Sequence, residues 1–330
     1  MASTRVIPAV VHDFSPYFRV YQDGSVERLV AEEHTPASID HHTGVTSKDI
    51  SISTDVLARL YLPKLNAAAV EARHKLPLVV YFRGGAFCMM SSSSPTLHAH
   101  LNSLVAEANV VLVSVDYRRA PEHRIPVAYD DSWAALEWAA SNRRAGTEPW
   151  LVDHVDFDRV FLAGDSAGGN IAHNLAMRSG ERELPHGVKL FGIVLVDPYF
   201  WGSKPTASEE ANPEMTARLD RLWPMVCPSS AGGNDDPRVN PVAPSAPSLA
   251  GLACARLLVC AAEKDAMRDR ARIYHEALRT SGWRGEVEMY ETAGEDHGFY
   301  FSHPHGQNTK LLVKRIATFF CSTSKLTIDM

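Results

Sequence analysis

The chain has 330 residues, of which 45% are hydrophobic and 22% are charged, and its formal net charge is −6. This composition is typical of a globular protein that can bury a large core. The acidic balance argues against nucleic acid as a partner, because phosphate binding needs a basic surface. The sequence contains no run of about 20 apolar residues that could span a bilayer, and we expect no membrane partner.

The five cysteines indicate a reducing compartment. Their number is odd and no two form a Cys-x-x-Cys pair, a pattern that fits neither a disulfide framework nor a zinc site. The apolar run near the N-terminus is too short for a secretory signal, so we predict a cytoplasmic protein. The sequence has no glycine loop for nucleotide phosphates, and we expect no cofactor and no metal.

Short strands are predicted in the first part of the chain. Asp23-Gly24 is typical of a hairpin turn between strands at 18–22 and 25–29. The alternation of apolar and polar residues over 45–62 predicts one or two further strands. Residues 66–75 are polar and rich in alanine, which indicates a surface loop.

From residue 76 onward, apolar strands alternate with helices. Strands are predicted at 76–82, 110–115, 155–163, 189–196, 255–262 and 287–290, and helices at 96–108, 129–140, 170–177 and 310–320. Nearly continuous apolar strands separated by helices indicate an α/β fold with a mostly parallel central sheet and helices on both faces. We predict one such domain over residues 1–330.

Residues 201–247 interrupt this alternation. The segment is rich in proline, glycine, serine and acidic residues, and it has a single clear helical stretch at 213–223. Long irregular insertions in compact folds are usually functional. We therefore predict that this insertion, together with about the first 45 residues, forms a cap over a site on the sheet.

The strongest motif is a serine at a predicted strand-to-helix turn. Residues 164–168 read Gly-Asp-Ser-Ala-Gly and follow the strand RVFLAG, which fits the Gly-x-Ser-x-Gly pattern of a nucleophile turn. The glycines are needed because side chains two positions before and after the serine would collide in so sharp a turn. Ser166 is therefore the candidate nucleophile, and the helix N-terminus behind it favours negative charge.

A serine hydroxyl needs a base, which in this type of site is a histidine late in the chain. His297 lies in a loop after the strand at 287–290. We favour it over His303 and His305, which lie further on in a turn and are expected to be solvated.

The third member should be a carboxylate that precedes the histidine along the chain and fixes its tautomer. Asp265 lies just past the strand at 255–262, in the loop from which a carboxylate can reach the imidazole. Glu263 remains the alternative acid, whereas Asp269 is predicted to lie on the next helix.

A glycine-containing turn after the strand at 76–82 is placed to supply backbone donors. The tetrahedral intermediate of acyl transfer needs N–H groups directed at its oxygen. We assign this oxyanion hole to Gly84, Gly85 and Ala86 in the turn, together with Ala167, the residue after the serine.

Taken together, these motifs resemble those of the plant carboxylesterase family, in the hormone-sensitive-lipase-like branch of the α/β-hydrolases. The similarity covers nearly the whole chain and includes the segments 18–24, 116–123, 164–170, 236–241, 265–269 and 296–299. It implies the α/β-hydrolase fold and a triad of Ser166, Asp265 and His297. The implied function is that of a serine carboxylesterase, which hydrolyses esters of small organic or specialised-metabolite substrates through an acyl-enzyme.

The oxyanion turn departs from the family at both ends. The family carries His-Gly-Gly-Gly, whereas this chain has Arg83, Gly84, Gly85 and Ala86. The resemblance places the donors mainly at Gly85 and Ala86, and alanine keeps its N–H, so the hole is preserved if φ of Ala86 is negative. Arg83 is a permanent cation, which we expect to pair with an acid behind the hole. Binding of an acidic substrate and lowering of activity are the alternatives.

Two other functions remain open from the resemblance. Relatives of this family dehydrate hydroxyisoflavanones or catalyse other eliminations and cyclisations on plant specialised metabolites. The gibberellin receptor also resembles the family but lacks the triad histidine, so the presence of His297 argues against a purely hormone-binding protein.

The last predictions concern the substrate pocket. Apolar cap residues and residues beside the serine and the oxyanion turn are expected to line it, although packing between cap and core explains the cap residues equally well. They are Phe14, Tyr17, Phe18, Arg83, Phe87, Asp165, Trp201, Leu219, Leu222 and Trp223. We expect a small-molecule ester as the partner and a monomer or weak homodimer in solution.

Overall fold

The computed structural model describes residues 8–66 and 74–322 of the chain. Its strands are β1 (Val10–Phe14), β2 (Phe18–Tyr21), β3 (Val26–Arg28), β4 (Thr46–Ser51), β5 (Leu57–Leu62), β6 (Leu76–Phe82), β7 (Val111–Asp116), β8 (Val155–Asp165), β9 (Leu190–Val196), β10 (Cys254–Ala262) and β11 (Glu286–Thr292). Its α-helices are α1 (Pro95–Ala108), α2 (Val127–Ala145), α3 (Pro149–His154), α4 (Ala167–Glu181), α5 (Ala207–Glu210), α6 (Pro213–Leu219), α7 (Leu222–Val226), α8 (Arg268–Thr280), α9 (Phe299–Ser302) and α10 (Gln307–Cys321).

Eight strands form the central sheet, in the order β11–β10–β9–β8–β6–β7–β5–β4. The strands from β6 to β11 all run parallel to their neighbours, which confirms the mostly parallel sheet. Both β4 and β5 are antiparallel additions beyond β7. Their strand character follows from the sequence, but their direction and their place at the edge do not.

Helices cover both faces of this sheet. Every residue of β6 is buried, as expected of a strand that has helices above and below it. On one face, the buried residues of α1 and α10 pack against the sheet; they include Leu97, Leu101, Leu312 and Ile316. On the other face, α2 and α4 contribute Trp133, Leu136, Ile171 and Leu175.

The predicted cap consists of two separate pieces. In the N-terminal piece, β1, β2 and β3 form a small antiparallel sheet, which contains the predicted hairpin and one strand that was not predicted. The insertion forms α5, α6 and α7 instead of a single helix. Residues 1–7 of the predicted cap, and most of the loop predicted at 66–75, lie outside the described residues.

The parallel strands bring the segments that follow them to one edge of the sheet. The segments after β6, β8, β9, β10 and β11 all begin at the carboxyl ends of these strands, where ligands bind in folds of this kind. Within the described parts of the chain, no helix is long and apolar enough to cross a membrane.

Candidate active site

Ser166 lies at the turn between β8 and α4 with a strained backbone, at φ 51° and ψ −116°. The two flanking glycines make the turn possible. A Cβ added at Gly168 would lie 1.8 Å from the carbonyl oxygen of Phe82, and one added at Gly164 would lie 2.3 Å from the backbone of Gly168. Strain of this kind persists only where the surrounding structure enforces it, and it is concentrated at functional sites. The turn leaves Ser166 partly exposed, in the wall of a cavity.

His297 and Asp265 form a close pair beside the same cavity. The Nδ1 atom of His297 lies 2.7 Å from Oδ2 of Asp265, whose Oδ1 accepts the N–H of Met267 at 2.9 Å. The carboxylate is 3% exposed, whereas the imidazole is 33% exposed. Both residues line the cavity together with Ser166, so the structure brings the three predicted residues to one place.

The alternative residues are occupied elsewhere. Glu263 is exposed and accepts the N–H of Gly294 at 2.6 Å. Asp269 lies on α8, as predicted, and accepts the N–H of Ser208. His303 and His305 are exposed and do not line this cavity.

Electrostatics at His297 favour the charged imidazole. Burial alone would lower the pKa of His297, but the negative charge and hydrogen bond of Asp265 outweigh it and raise the pKa above its usual value of 6.5. The pair is therefore arranged to stabilise an imidazolium, the form that appears when the histidine takes a proton.

Three backbone N–H groups near Ser166 are available as donors. Among the described residues, the N–H groups of Gly85 and Ala86 have no protein acceptor, and both residues line the cavity. Ala167 is the first residue of α4, so its N–H has no acceptor within the helix. The assignment of Gly84 is wrong, because its N–H donates to Oδ1 of Asp165 at 3.0 Å.

The backbone of the oxyanion turn is left-handed. Gly85 has φ 87°, and the two residues after it are not glycines although Ala86 has φ 55° and Phe87 has φ 60°. The condition stated above for an intact hole, a negative φ at Ala86, is therefore not met. The N–H of Ala86 nevertheless stays free, so the alanine strains the backbone without removing the donor.

The side chain of Arg83 does not line the cavity. It is fully buried, and its guanidinium pairs with the carboxylate of Asp116 at 3.2 Å and donates to the carbonyl oxygens of Tyr117 and Met89 at 2.7 and 3.3 Å. It also lies 3.9 Å above the ring of Tyr117. The assignment of Arg83 to substrate binding is therefore wrong, and the expected pairing with an acid behind the hole is the arrangement found.

The cavity has a volume of about 370 Å³ and a mostly apolar wall. Both cap pieces contribute to this wall, through Phe14, Tyr17, Phe18, Met215, Leu219 and Leu222. Of the other predicted wall residues, Asp165 reaches the cavity, but its carboxylate is held by Tyr81 and Gly84. Phe87, Trp201 and Trp223 are fully buried behind the wall: Phe87 packs edge-on against Trp223, and Nε1 of Trp201 donates to Asp220.

Sequence reasoning missed several wall residues. Met89, Met90, Met267 and Phe301 line the cavity, and of these four only Met267 lies in a segment that resembles the family, 265–269. Each of the four lies within a few residues of the oxyanion turn, of Asp265 or of His297, and this proximity is the signal that could have identified them.

Comparison with known proteins agrees with this architecture. The sequence matches the α/β-hydrolase fold family over residues 79–301, more than half of the chain. The chain therefore belongs to the α/β-hydrolase fold family.

Its relatives narrow the assignment to the plant carboxylesterase group of the hormone-sensitive-lipase-like branch. The chain is 44% identical to a 2-hydroxyisoflavanone dehydratase of Glycine max, over 94% of this chain and 98% of that protein. It is 43% identical to "Probable carboxylesterase 2" of Arabidopsis thaliana, over 92% and 94% of the two chains. Among solved structures, a hyperthermophilic esterase of Pyrobaculum calidifontis matches with a TM-score of 0.67 and 29% identity, over 83% of this chain and 84% of that one.

Proposed function

We propose that this protein is a serine carboxylesterase that hydrolyses small esters through an acyl-enzyme. The observation that carries the proposal is the 2.7 Å contact between His297 and Asp265 at the wall of the cavity that also contains Ser166. In its neutral form, a histidine held in this way is able to act as a general base toward the hydroxyl of Ser166.

In the first half of the proposed reaction, the Oγ atom of Ser166 attacks the ester carbonyl while Nε2 of His297 takes its proton. The N–H groups of Gly85, Ala86 and Ala167 stabilise the negative oxygen of the tetrahedral intermediate. Asp265 holds Nδ1–H and stabilises the imidazolium. Collapse of the intermediate then transfers the proton to the departing alcohol and leaves an acylated serine.

In the second half, water replaces the alcohol. His297 removes a proton from the water as it attacks the acyl carbon, and the same N–H groups hold the second oxyanion. The acid is released and Ser166 regains its proton. The apolar wall and the volume of about 370 Å³ favour an ester with a small aliphatic or aromatic group.

The direct test is hydrolysis of short-chain p-nitrophenyl esters by the Ser166→Ala variant. We expect kcat/KM to fall by at least about 10³-fold, because the nucleophile is lost. Ser103→Ala is the matched control, since Ser103 is exposed on α1 and its replacement should leave the rate unchanged. Unchanged turnover by Ser166→Ala would contradict the proposal.

Dehydration is the second candidate, favoured by the 44% identity to a 2-hydroxyisoflavanone dehydratase. In such an elimination, His297 would remove a proton from the carbon beside a carbonyl group. The free N–H groups would stabilise the enolate oxygen, and a β-hydroxyl group would leave as water after protonation. No acyl-enzyme forms in this route, so Ser166 is not needed as a nucleophile.

Mass spectrometry of the products distinguishes the two reactions. Incubation with a 2-hydroxyisoflavanone yields a product lighter by one water if the chain is a dehydratase, and ester substrates yield an acid and an alcohol if it is an esterase. The Ser166→Ala variant should lose esterase activity much more strongly than dehydratase activity.

We also propose the cytoplasm as the site of action. All five cysteines are free thiols, and three of them, Cys88, Cys227 and Cys260, are buried, which suits a reducing compartment. Fractionation of tissue followed by esterase assay is the measurement that tests this.

A further inference from the structure

Asp197 is a buried acid that the proposed reaction does not use. It directly follows β9, is 2% exposed and has a left-handed backbone at φ 44°. Its N–H donates to the carbonyl oxygen of Cys260 at 2.8 Å. This places its carboxylate at the carboxyl edge of the sheet, between the end of β10 and the segment that follows β11.

The two oxygens of Asp197 bind the two segments that carry the candidate acid and base. Oδ1 accepts the N–H of Ala262 at 2.9 Å, and Oδ2 accepts the N–H of Gly298 at 3.2 Å. Ala262 is the last residue of β10, three positions before Asp265, and Gly298 directly follows His297. One carboxylate thus bridges both segments through their backbones.

Asp197 also lies close to the reacting groups. A carboxylate oxygen of Asp197, one of Asp265 and a ring nitrogen of His297 all lie within 4.8 Å of one another. A second carboxylate at this distance favours the protonated imidazole.

From these contacts we propose that Asp197 is a positioning residue of the active site. It fixes the spacing of His297 and Asp265, and it adds a second negative charge that stabilises the imidazolium. The inference rests on the proposed hydrolase function, because it concerns the residues that would carry the reaction.

The charge on Asp197 is sensitive to pH. Burial and the neighbouring charge of Asp265 raise the pKa of Asp197 to about 7. Apart from Asp265 and His297, the titratable groups that interact with Asp197 are neutral near this pH, since burial raises the pKa of each; they are Cys260 on β10, Tyr81 on β6 and Tyr300 on α9. Asp165 on β8 is a further group whose charge raises the pKa of His297.

A carboxylate that accepts hydrogen bonds from two backbone N–H groups also stabilises the fold, so the experiment has to distinguish a structural role of Asp197 from an electrostatic one. Asp197→Asn is the most informative variant, because asparagine tolerates a left-handed backbone and keeps one acceptor oxygen while removing the charge. Asp131→Asn is the matched control. Asp131 is also a buried acid, 3% exposed, but it lies on α2 and pairs with Arg118 in the segment after β7.

Two readouts are measured for each variant. The first is the pH dependence of kcat/KM, whose acidic limb reports the pKa of the base. The second is the NMR titration of the His297 imidazole, assigned by comparison with a His297→Gln variant. The NMR titration needs no substrate, so a failure of this inference is distinguishable from a failure of the hydrolase proposal.

We expect Asp197→Asn to move both the acidic limb and the imidazole pKa downward by about one pH unit. The kcat value should fall about tenfold with little change in KM, and Asp131→Asn should lower stability without moving either pKa.

Unchanged pKa values in Asp197→Asn, with a loss of stability like that of the control, would overturn the proposal. If the asparagine variant does not fold, Asp197→Gly keeps the positive φ and should give the same downward shift. If neither variant folds, the carboxylate serves the fold and the positioning role is rejected.

Discussion

Ala86 offers a sharp test of the backbone geometry at the oxyanion turn. Its φ of 55° lies in the left-handed region, where a non-glycine residue is strained by about 1–2 kcal/mol. The Ala86→Gly substitution removes this strain, and it introduces the glycine that stands at this position in the family that the sequence resembles. Glycine gains backbone entropy in the unfolded chain, which offsets about 0.5–1 kcal/mol of the benefit. We therefore expect the variant to be more stable by about 0.5–1 kcal/mol.

The same substitution at a helical position should have the opposite sign. Ala99 is exposed inside α1, and glycine in a helix interior costs about 0.5–1 kcal/mol. Urea denaturation of the wild type, Ala86→Gly and Ala99→Gly should thus separate the two variants by about 1–2 kcal/mol in the free energy of unfolding.

Thermal melts are a weaker assay for this pair. For 330 residues the unfolding entropy is about 0.7 kcal/mol/K, so a change of 1 kcal/mol moves Tm by only about 1.5 °C. Esterase activity should be retained in Ala86→Gly, because the N–H at position 86 is unchanged. Equal destabilisation by both substitutions would refute the assignment of strain to Ala86.

Three further perturbations test other parts of the site. Gly168→Ala would place a Cβ 1.8 Å from a backbone oxygen of β6, so this variant should not fold and should show no cooperative thermal transition. The control is Gly251→Ala, whose Cβ meets nothing closer than 3.8 Å and which should melt like the wild type. Similar melting curves for the two variants would contradict this. Arg83→Met leaves a carboxylate without its buried partner and should lower the urea-derived free energy of unfolding by about 2–4 kcal/mol; a loss below 1 kcal/mol would show that the pair is unimportant. The raised pKa of His297 gives a stabilisation that is fully present below about pH 6.5 and is lost as pH rises through the raised pKa. Tm should therefore fall more between pH 6 and pH 10 in the wild type than in His297→Gln, and parallel decreases would speak against it.

Local sequence patterns determined most of the α/β architecture. A strand such as 76–82 must be buried on both faces because all its residues are apolar, and this requirement alone predicts helices above and below it. The predicted strand and helix ranges from 76 onward correspond to β6–β11, α1, α2, α4 and α10. The antiparallel direction of β4 and β5 was not predictable, since an alternating strand pattern is the same in either direction.

The candidate triad was also accessible from sequence, for a related reason. Ser166, Asp265 and His297 each follow a strand, and parallel strands bring such positions to one edge of the sheet. Their order along the chain and the motif around the serine were sufficient to select them from competing residues such as Glu263 and His303.

Only the tertiary structure decided what each backbone and side chain does around them. The sequence does not contain the sign of φ at Ala86, the capture of the Gly84 N–H by Asp165, or the burial of Arg83 against Asp116. It also gives no sign that Asp197 bridges the segments of Asp265 and His297. These features depend on contacts between residues far apart in the chain, whereas the fold class depends on repeating patterns of hydrophobicity that are local.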